Sequence, residues 1–241
     1  MISRIKNIYK KQLFQPTVFG IFTNPFFITR SKLFREIRKI APHISGRILD
    51  VGCGQKPYQS LFRSTEYIGL DVEVSGHNHA DEQIDVYYDG VIFPFEYQCF
   101  DSVICNQVLE HVATPATTLS EIYRVLKPQG YLLLTVPFLA DEHEQPFDFY
   151  RYSSFGMAHL LETTNFEIIR SVKLNRNIAL VLAHFWNTYW YKMLKTPYPI
   201  ISLCITPIVH APVTLIGYFL SLILPQTEDF YTDYLILARK K

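Results

Sequence analysis

Two aspartates and two glycines at fixed separations are the residues of this sequence best suited to chemistry. Asp50 sits in the run Ile48-Leu49-Asp50-Val51, and Gly52 and Gly54 follow directly. An apolar run of that length reads as a buried parallel strand, with Asp50 near the carboxyl end, where open α/β sheets bind ligands. Gly52 and Gly54 let the backbone turn tightly and approach a bound molecule where a Cβ would collide. Asp71 ends a second strand-like run, Tyr67-Ile68-Gly69-Leu70. A carboxylate about 20 residues beyond the glycine turn suits ribose hydroxyls. Pro57 stands where a dinucleotide fingerprint has its third glycine, and no G-K-[ST] follows, so phosphate cradling is poorly supported. The chemistry expected of these residues is recognition of a nucleoside-bearing cofactor.

Further candidates follow in chain order. Asp89-Gly90 forms a turn after the strand-like Ile84–Tyr88, and Asn106-Gln107 end the apolar run Phe100–Cys105. Glu110 and His111 lie on a turn before a helix; a histidine there orders a loop more often than it acts as a base. The stretch Pro137 to Tyr152, PFLADEHEQPFDFYRY, is the densest in reactive groups. His143 is its best general base, because the unperturbed imidazole pKa lies near neutrality. Asp148 would orient His143 or the substrate. The competing reading is an acidic loop that only closes a cleft.

Taken together, LDVGCG (Leu49 to Gly54), YIGLDV (Tyr67 to Val72), DGVIFPF (Asp89 to Phe95), FDSVICNQVLEHV (Phe100 to Val112) and LSEIYRVLKPQGYLLLTVP (Leu119 to Pro137) resemble the class I S-adenosylmethionine-dependent methyltransferases, in particular the small-molecule "type 11" group. Order and separations match, and the resemblance covers roughly Arg30 to Phe166. It implies a Rossmann-like α/β fold: a seven-stranded, mostly parallel sheet with helices on both faces and an antiparallel last strand beside strand five. It implies S-adenosylmethionine as cofactor, held by Asp50, Gly52, Cys53 and Gly54 at the turn and by Asp71 and Val72 at the ribose. Asp89, beside Gly90, would accept the adenine amino group, and Asn106 would line the methionine end. Methyl transfer is an in-line displacement, so positioning and desolvation carry most of it. A base such as His143 matters when the acceptor is a hydroxyl or a protonated amine.

The elements that must hold these residues are legible at coarse scale. Ser31 is placed to cap a helix through about Ile40, ended by Pro42. Pro57 to Phe62 would open the first core helix. Thr114-Pro115 reads as a helix start, Leu119, Ile122 and Leu126 as its apolar face, and Pro128-Gln129-Gly130 as its stop. Strand five is expected over Tyr131–Val136. A helix capped by Ser153 or Ser154 follows, then strand six over Phe166–Leu174 and strand seven over Tyr231–Arg239. The chain thus divides into an N-terminal covering segment (1–45), a core (46–174), an insertion (175–229) and the final strand (230–241).

Composition bounds the partners. A chain of 241 residues with net charge +1 is not strongly basic, which argues against a general nucleic-acid binder. The four cysteines show neither C-x-x-C pairing nor metal-ligand spacing, and His77 and His79 read as a solvated loop, so no metal is expected. Free thiols fit a reducing, cytoplasmic compartment. The N-terminal mix of Arg4, Lys6, Lys10 and Lys11 with Ile5, Ile8, Tyr9, Leu13 and Phe14 is either a solvated helix closing one side of the sheet or a basic segment on an anionic membrane surface.

The mean hydropathy of +0.07 owes its height to the insertion. Phe185, Trp186, Tyr189, Trp190 and Tyr191 give it an interfacial character, and Pro199 to Leu224 holds no charged residue. One crossing would strand the last strand on the wrong side of the membrane. Pro207 and Pro212 therefore suggest a re-entrant or monotopic hairpin in the cytoplasmic leaflet. The alternatives are a lid over the acceptor pocket and a dimer interface. The function expected is methyl transfer to a small or amphiphilic acceptor, such as a lipid-linked saccharide or an isoprenoid, at the inner membrane face. The competing readings are a soluble small-molecule methyltransferase and a non-catalytic membrane-associated scaffold of the same fold.

Overall fold

A computed structural model describes residues 10–76, 82–194 and 204–241. Seven strands form one sheet in the order β3-β2-β1-β4-β5-β7-β6. They are β1 (Ser45–Val51), β2 (Arg63–Val72), β3 (Val86–Tyr88), β4 (Phe100–Asn106), β5 (Leu126–Pro137), β6 (Phe166–Lys173) and β7 (Asp233–Lys240). The pairs β1–β2, β1–β4, β2–β3 and β4–β5 are parallel, and the antiparallel strands lie near the end of the sheet. Ile48, Leu49, Val51, Val103 and Cys105 are completely buried. That is why β1 and β4 read as continuous apolar runs rather than alternating ones: both faces of a central parallel strand are covered. The sequence-expected fold class is the one observed.

Three local expectations are corrected. No core helix follows the glycine turn; the connection carries a single 3-10 turn, Gln59–Leu61, before β2 begins. Pro57 disfavours a helical conformation at the residue before it, and Lys56 there is left-handed, with φ +48°. Leu126 does not complete the helix that precedes it. The helix ends at Val125, and Leu126 opens β5, pairing with Phe100 before a bulge at Pro128-Gln129-Gly130. Ser31 caps nothing, because its helix starts earlier and its hydroxyl donates within the helix to the Ile28 carbonyl at 3.3 Å.

The numbered helices are α1 (Phe27–Ile40), α2 (Pro115–Val125), α3 (Ser154–Thr163), α4 (Ile178–Met193) and α5 (Ala211–Ser221). Ser153 caps α3, its hydroxyl accepting from the Gly156 N–H at 3.1 Å. Thr114 makes no such bond for α2.

The chain divides into two compact units. One holds the described part of Met1–Glu36, with Leu139–Asp141 and Lys173–Asp233; the other holds Ile37–Phe138, Glu142–Val172 and Tyr234–Lys241. In the first unit α4 and α5 pack so closely that a methyl on Gly217 would meet the Ala183 Cβ at 2.8 Å. Inside this apolar pair Asn187 donates to Thr214 at 2.9 Å. Leu182, Trp186, Tyr189 and Met193 of α4 and Leu215, Ile216 and Phe219 of α5 remain exposed. Among the described residues no helix is long and apolar enough to cross a membrane. Arg4, Ile5, Lys6, Ile8, Tyr9, His77, His79 and Pro199 lie outside the described residues.

Candidate active site

Every cofactor residue expected from the sequence belongs to the second unit, together with Glu142–Tyr152 of the acceptor loop. The sheet order reverses between β1 and β4, the topological switch point at which open α/β sheets bind ligands. Asp50, Asp71 and Asn106 occupy the last or next-to-last positions of β1, β2 and β4, and Asp89 follows β3 directly. Parallel pairing brings these ends to one edge: Val51 lies opposite Leu70 and Cys105, and Asp71 opposite Tyr87.

The glycine turn is fixed by backbone bonds. The N–H groups of Gly52 and Cys53 both donate to the Leu70 carbonyl, at 2.8 and 3.3 Å. Gly52 has φ +66°, and a Cβ there would overlap the Val108 side chain, so only glycine fits. Gly54, at φ +46°, differs: a Cβ would meet nothing nearer than Glu82 Oε1 at 3.9 Å. Its N–H donates to Asp71 Oδ2 at 3.2 Å, and its carbonyl accepts from Gln83 N–H at 2.8 Å. Asp71 Oδ1 accepts from the Val72 N–H at 2.9 Å. The carboxylate of Asp71 is therefore held beside the turn.

Behind this edge lies a buried polar layer. The Tyr67 hydroxyl donates to Asp50 Oδ2 at 2.6 Å. Burial pushes the Asp50 carboxyl up to about 7, against the pull of Tyr67 and Lys56. Lys56 is buried, its ammonium paired with Asp85, which also accepts from the Gly69 N–H at 2.7 Å. Burial and the nearby Asp50 push the Cys53 thiol well above its ordinary value, leaving it protonated and unreactive. Lys56 and Asp85 lie in no motif, and Tyr67, which opens YIGLDV, has no role assigned to it. Their only sequence signal is proximity to Asp71 and the glycine turn.

Asp89 caps its own turn. Its Oδ1 accepts from the N–H groups of Val91 and Ile92, both at 2.9 Å, and these bonds hold its carboxyl below the usual range. Gly90 is left-handed, with φ +84°, and leans toward Val72. Asn106 Oδ1 accepts from the Thr135 hydroxyl at 2.7 Å, and that oxygen accepts from Gln107 at 3.3 Å, tying the ends of β4 and β5 together.

The loop after β5 is held by side chains. Asp148 takes a two-pronged grip from Arg151, at 2.6 Å to Oδ1 and 2.8 Å to Oδ2, and its Oδ2 also accepts the His143 backbone N–H at 2.9 Å. The guanidinium holds the Asp148 carboxyl down at about 2. The His143 imidazole is 3.6 Å from Asp148 Oδ2, beyond hydrogen-bond distance, so Asp148 orients the backbone of His143 rather than its ring. The ring of His143 stands edge-on to His111 with centroids 4.8 Å apart. His111 Nδ1 lies 2.7 Å from the Phe147 carbonyl oxygen, and its Nε2 lies 3.8 Å from Glu110 and 4.0 Å from Glu144. The loop also meets the segment after β2: a methyl on Gly76 would overlap the Glu144 backbone. His111 does order this loop, and Arg151, which the sequence reading passed over, clamps it.

This sheet and edge define the class I, Rossmann-like methyltransferase fold. A family model described as "Methyltransferase domain" matches residues 28–171, and the chain belongs to that family. It is 26% identical over 165 residues to an S-adenosylmethionine-dependent methyltransferase of Mycolicibacterium smegmatis, covering 63% of each chain. The chain spans less than two thirds of the length of the curated relatives it matches. Among solved structures it is similar to a SAM-dependent methyltransferase from Archaeoglobus fulgidus, with TM-score 0.54, 17% identity, and 93% of this chain and 100% of that one covered. It is also similar to the [4+2]-cyclase SpnF, with TM-score 0.56, 16% identity, and 88% and 82% covered. These two likenesses establish the fold. S-adenosylmethionine is the cofactor the family uses.

Proposed function

We propose that this chain transfers the methyl group of S-adenosylmethionine to a small, amphiphilic acceptor of the lipid-linked saccharide or isoprenoid kind, at the cytoplasmic face of a membrane. The observation that carries the transfer is the Gly54 N–H bonded to Asp71, which fixes a ribose-binding carboxylate beside a turn that is open at Gly54. Asp50 and Tyr67 support the turn from behind, Asp89 offers its second oxygen to the adenine amino group, and Asn106 lines the methionine end. On the acceptor side, Asp148 is a positioning residue, and His143 serves a hydroxyl acceptor that must lose its proton.

The amphiphilic acceptor is supported by the first unit. Trp186, Tyr189 and Met193 on α4 and Phe219, Leu222 and Ile223 on or just after α5 are half or more exposed, an apolar and aromatic surface of the kind that rests in a bilayer interface. Two measurements test the reading. Calorimetry should show one S-adenosylmethionine bound per folded chain; a folded chain that binds none would remove the enzyme. Flotation with anionic vesicles should carry the protein upward, and Trp186→Ala with Phe219→Ala should reduce that fraction. Protein that stays at the bottom of the gradient would leave a soluble methyltransferase.

A further inference from the structure

We propose that Glu110, His111 and His143 form a binding site for a divalent transition-metal ion. Each offers one ligand atom, and the three atoms lie within 4.8 Å of one another. One carboxylate with two imidazoles is a donor set that suits first-row divalent ions and leaves positions open for other ligands.

The neighbours of His111 hold its ring in the orientation a metal ligand needs. The Phe147 carbonyl can only accept, so at 2.7 Å it requires the proton on His111 Nδ1. In the neutral ring the lone pair then sits on Nε2, the nitrogen on the side of Glu110 and Glu144. A carbonyl that accepts the proton of one ring nitrogen fixes the tautomer and orients the other nitrogen toward a metal. The Glu110 carboxylate is completely buried, where a cation is a favourable neighbour. Arg151 lies 3.5 Å from the His143 ring, but its charge is matched by the two-pronged grip on Asp148.

Metal–nitrogen and metal–oxygen bonds of about 2.0–2.2 Å require ligand atoms about 3–3.5 Å apart, so the widest separation must contract by about 1.5 Å. His143, 36% exposed, is the ligand able to move. The site lies just past the end of β4, on the acceptor side of the sheet edge. The proposal rests on these three side chains and not on methyl transfer. Its consequence for catalysis does rest on that reading: an ion here would bind an acceptor hydroxyl and lower its pKa, the task otherwise left to His143 as a base.

The test is titration of the metal-free full chain with cobalt(II), read by its visible absorption and by calorimetry, without S-adenosylmethionine. One ion per chain is expected, with imidazole-ligand bands. His143→Ala and Glu110→Gln should each weaken binding at least about tenfold. S-adenosylmethionine affinity, measured separately, should survive in His143→Ala and show that the variant is folded. No cobalt binding by the wild-type chain overturns the proposal. So does binding of unchanged affinity in His143→Ala, which would place the ion elsewhere. Loss of S-adenosylmethionine binding in the wild type, with cobalt retained, would remove the methyltransferase reading and leave the metal site standing.

Discussion

The cofactor corner and the acceptor loop lie along the same sheet edge and are built by opposite means. At the corner, backbone does the holding: Gly52 and Cys53 share the Leu70 carbonyl, and Gly54 is tied to Asp71. In the loop, side chains do the holding: Arg151 grips Asp148, and His111 anchors the Phe147 backbone carbonyl. The electrostatics diverge in the same way. Asp50 is pushed up to about 7 by burial, and Asp148 is held down at about 2 by a guanidinium. Backbone ties and a left-handed turn restrict the corner to few residue types, whereas a loop held by side chains can be rewritten residue by residue.

The sharpest way to break this comparison is Gly52→Ala. The left-handed φ costs about 1–2 kcal/mol and the overlap with Val108 about 1–3 kcal/mol, so stability should fall by roughly 2–5 kcal/mol. Gly54→Ala meets open space and should lose cofactor affinity with a much smaller loss of stability. Equal losses of stability in denaturant unfolding would erase the distinction between the two glycines.

Next in size is the pH dependence. A folded-state pKa raised to about 7 makes Asp50 stabilising below its unfolded value, and that contribution is lost as pH rises from about 4 through 7. Unfolding free energies should therefore drop by roughly 2–3 kcal/mol between pH 5 and 7, and Asp50→Asn should flatten that slope. An unchanged slope in the variant would put the pH dependence elsewhere.

Asp148 has the opposite sign. Its lowered pKa stabilises above the unfolded value and is lost as pH falls from about 4 through 2. Arg151→Ala should destabilise by roughly 2 kcal/mol and move the acid-unfolding midpoint upward. A midpoint that stays in place would mean that the grip does not hold the loop.

The smallest effect is on affinity alone. Asp71→Asn should weaken S-adenosylmethionine binding about tenfold, or roughly 1.4 kcal/mol, in calorimetry. Unchanged affinity would remove Asp71 from the ribose.

Local sequence determined the parts of this protein that repeat with the chain's own period. The apolar runs of β1 and β4, the glycine turn and the acids at the ends of β1 to β3 were all readable, because a buried parallel strand and a left-handed turn each restrict residue type at fixed spacing. The missing helix after the turn was not read, although Pro57 was in plain view, because the left-handed Lys56 before it is held by a pairing with Asp85 far along the chain. Only the tertiary structure placed Tyr67 on Asp50, turned Arg151 onto Asp148 and brought Glu110, His111 and His143 together. Side-chain clusters have no sequence period. They form where strand ends and loops converge, and register and loop packing alone decide which residues meet.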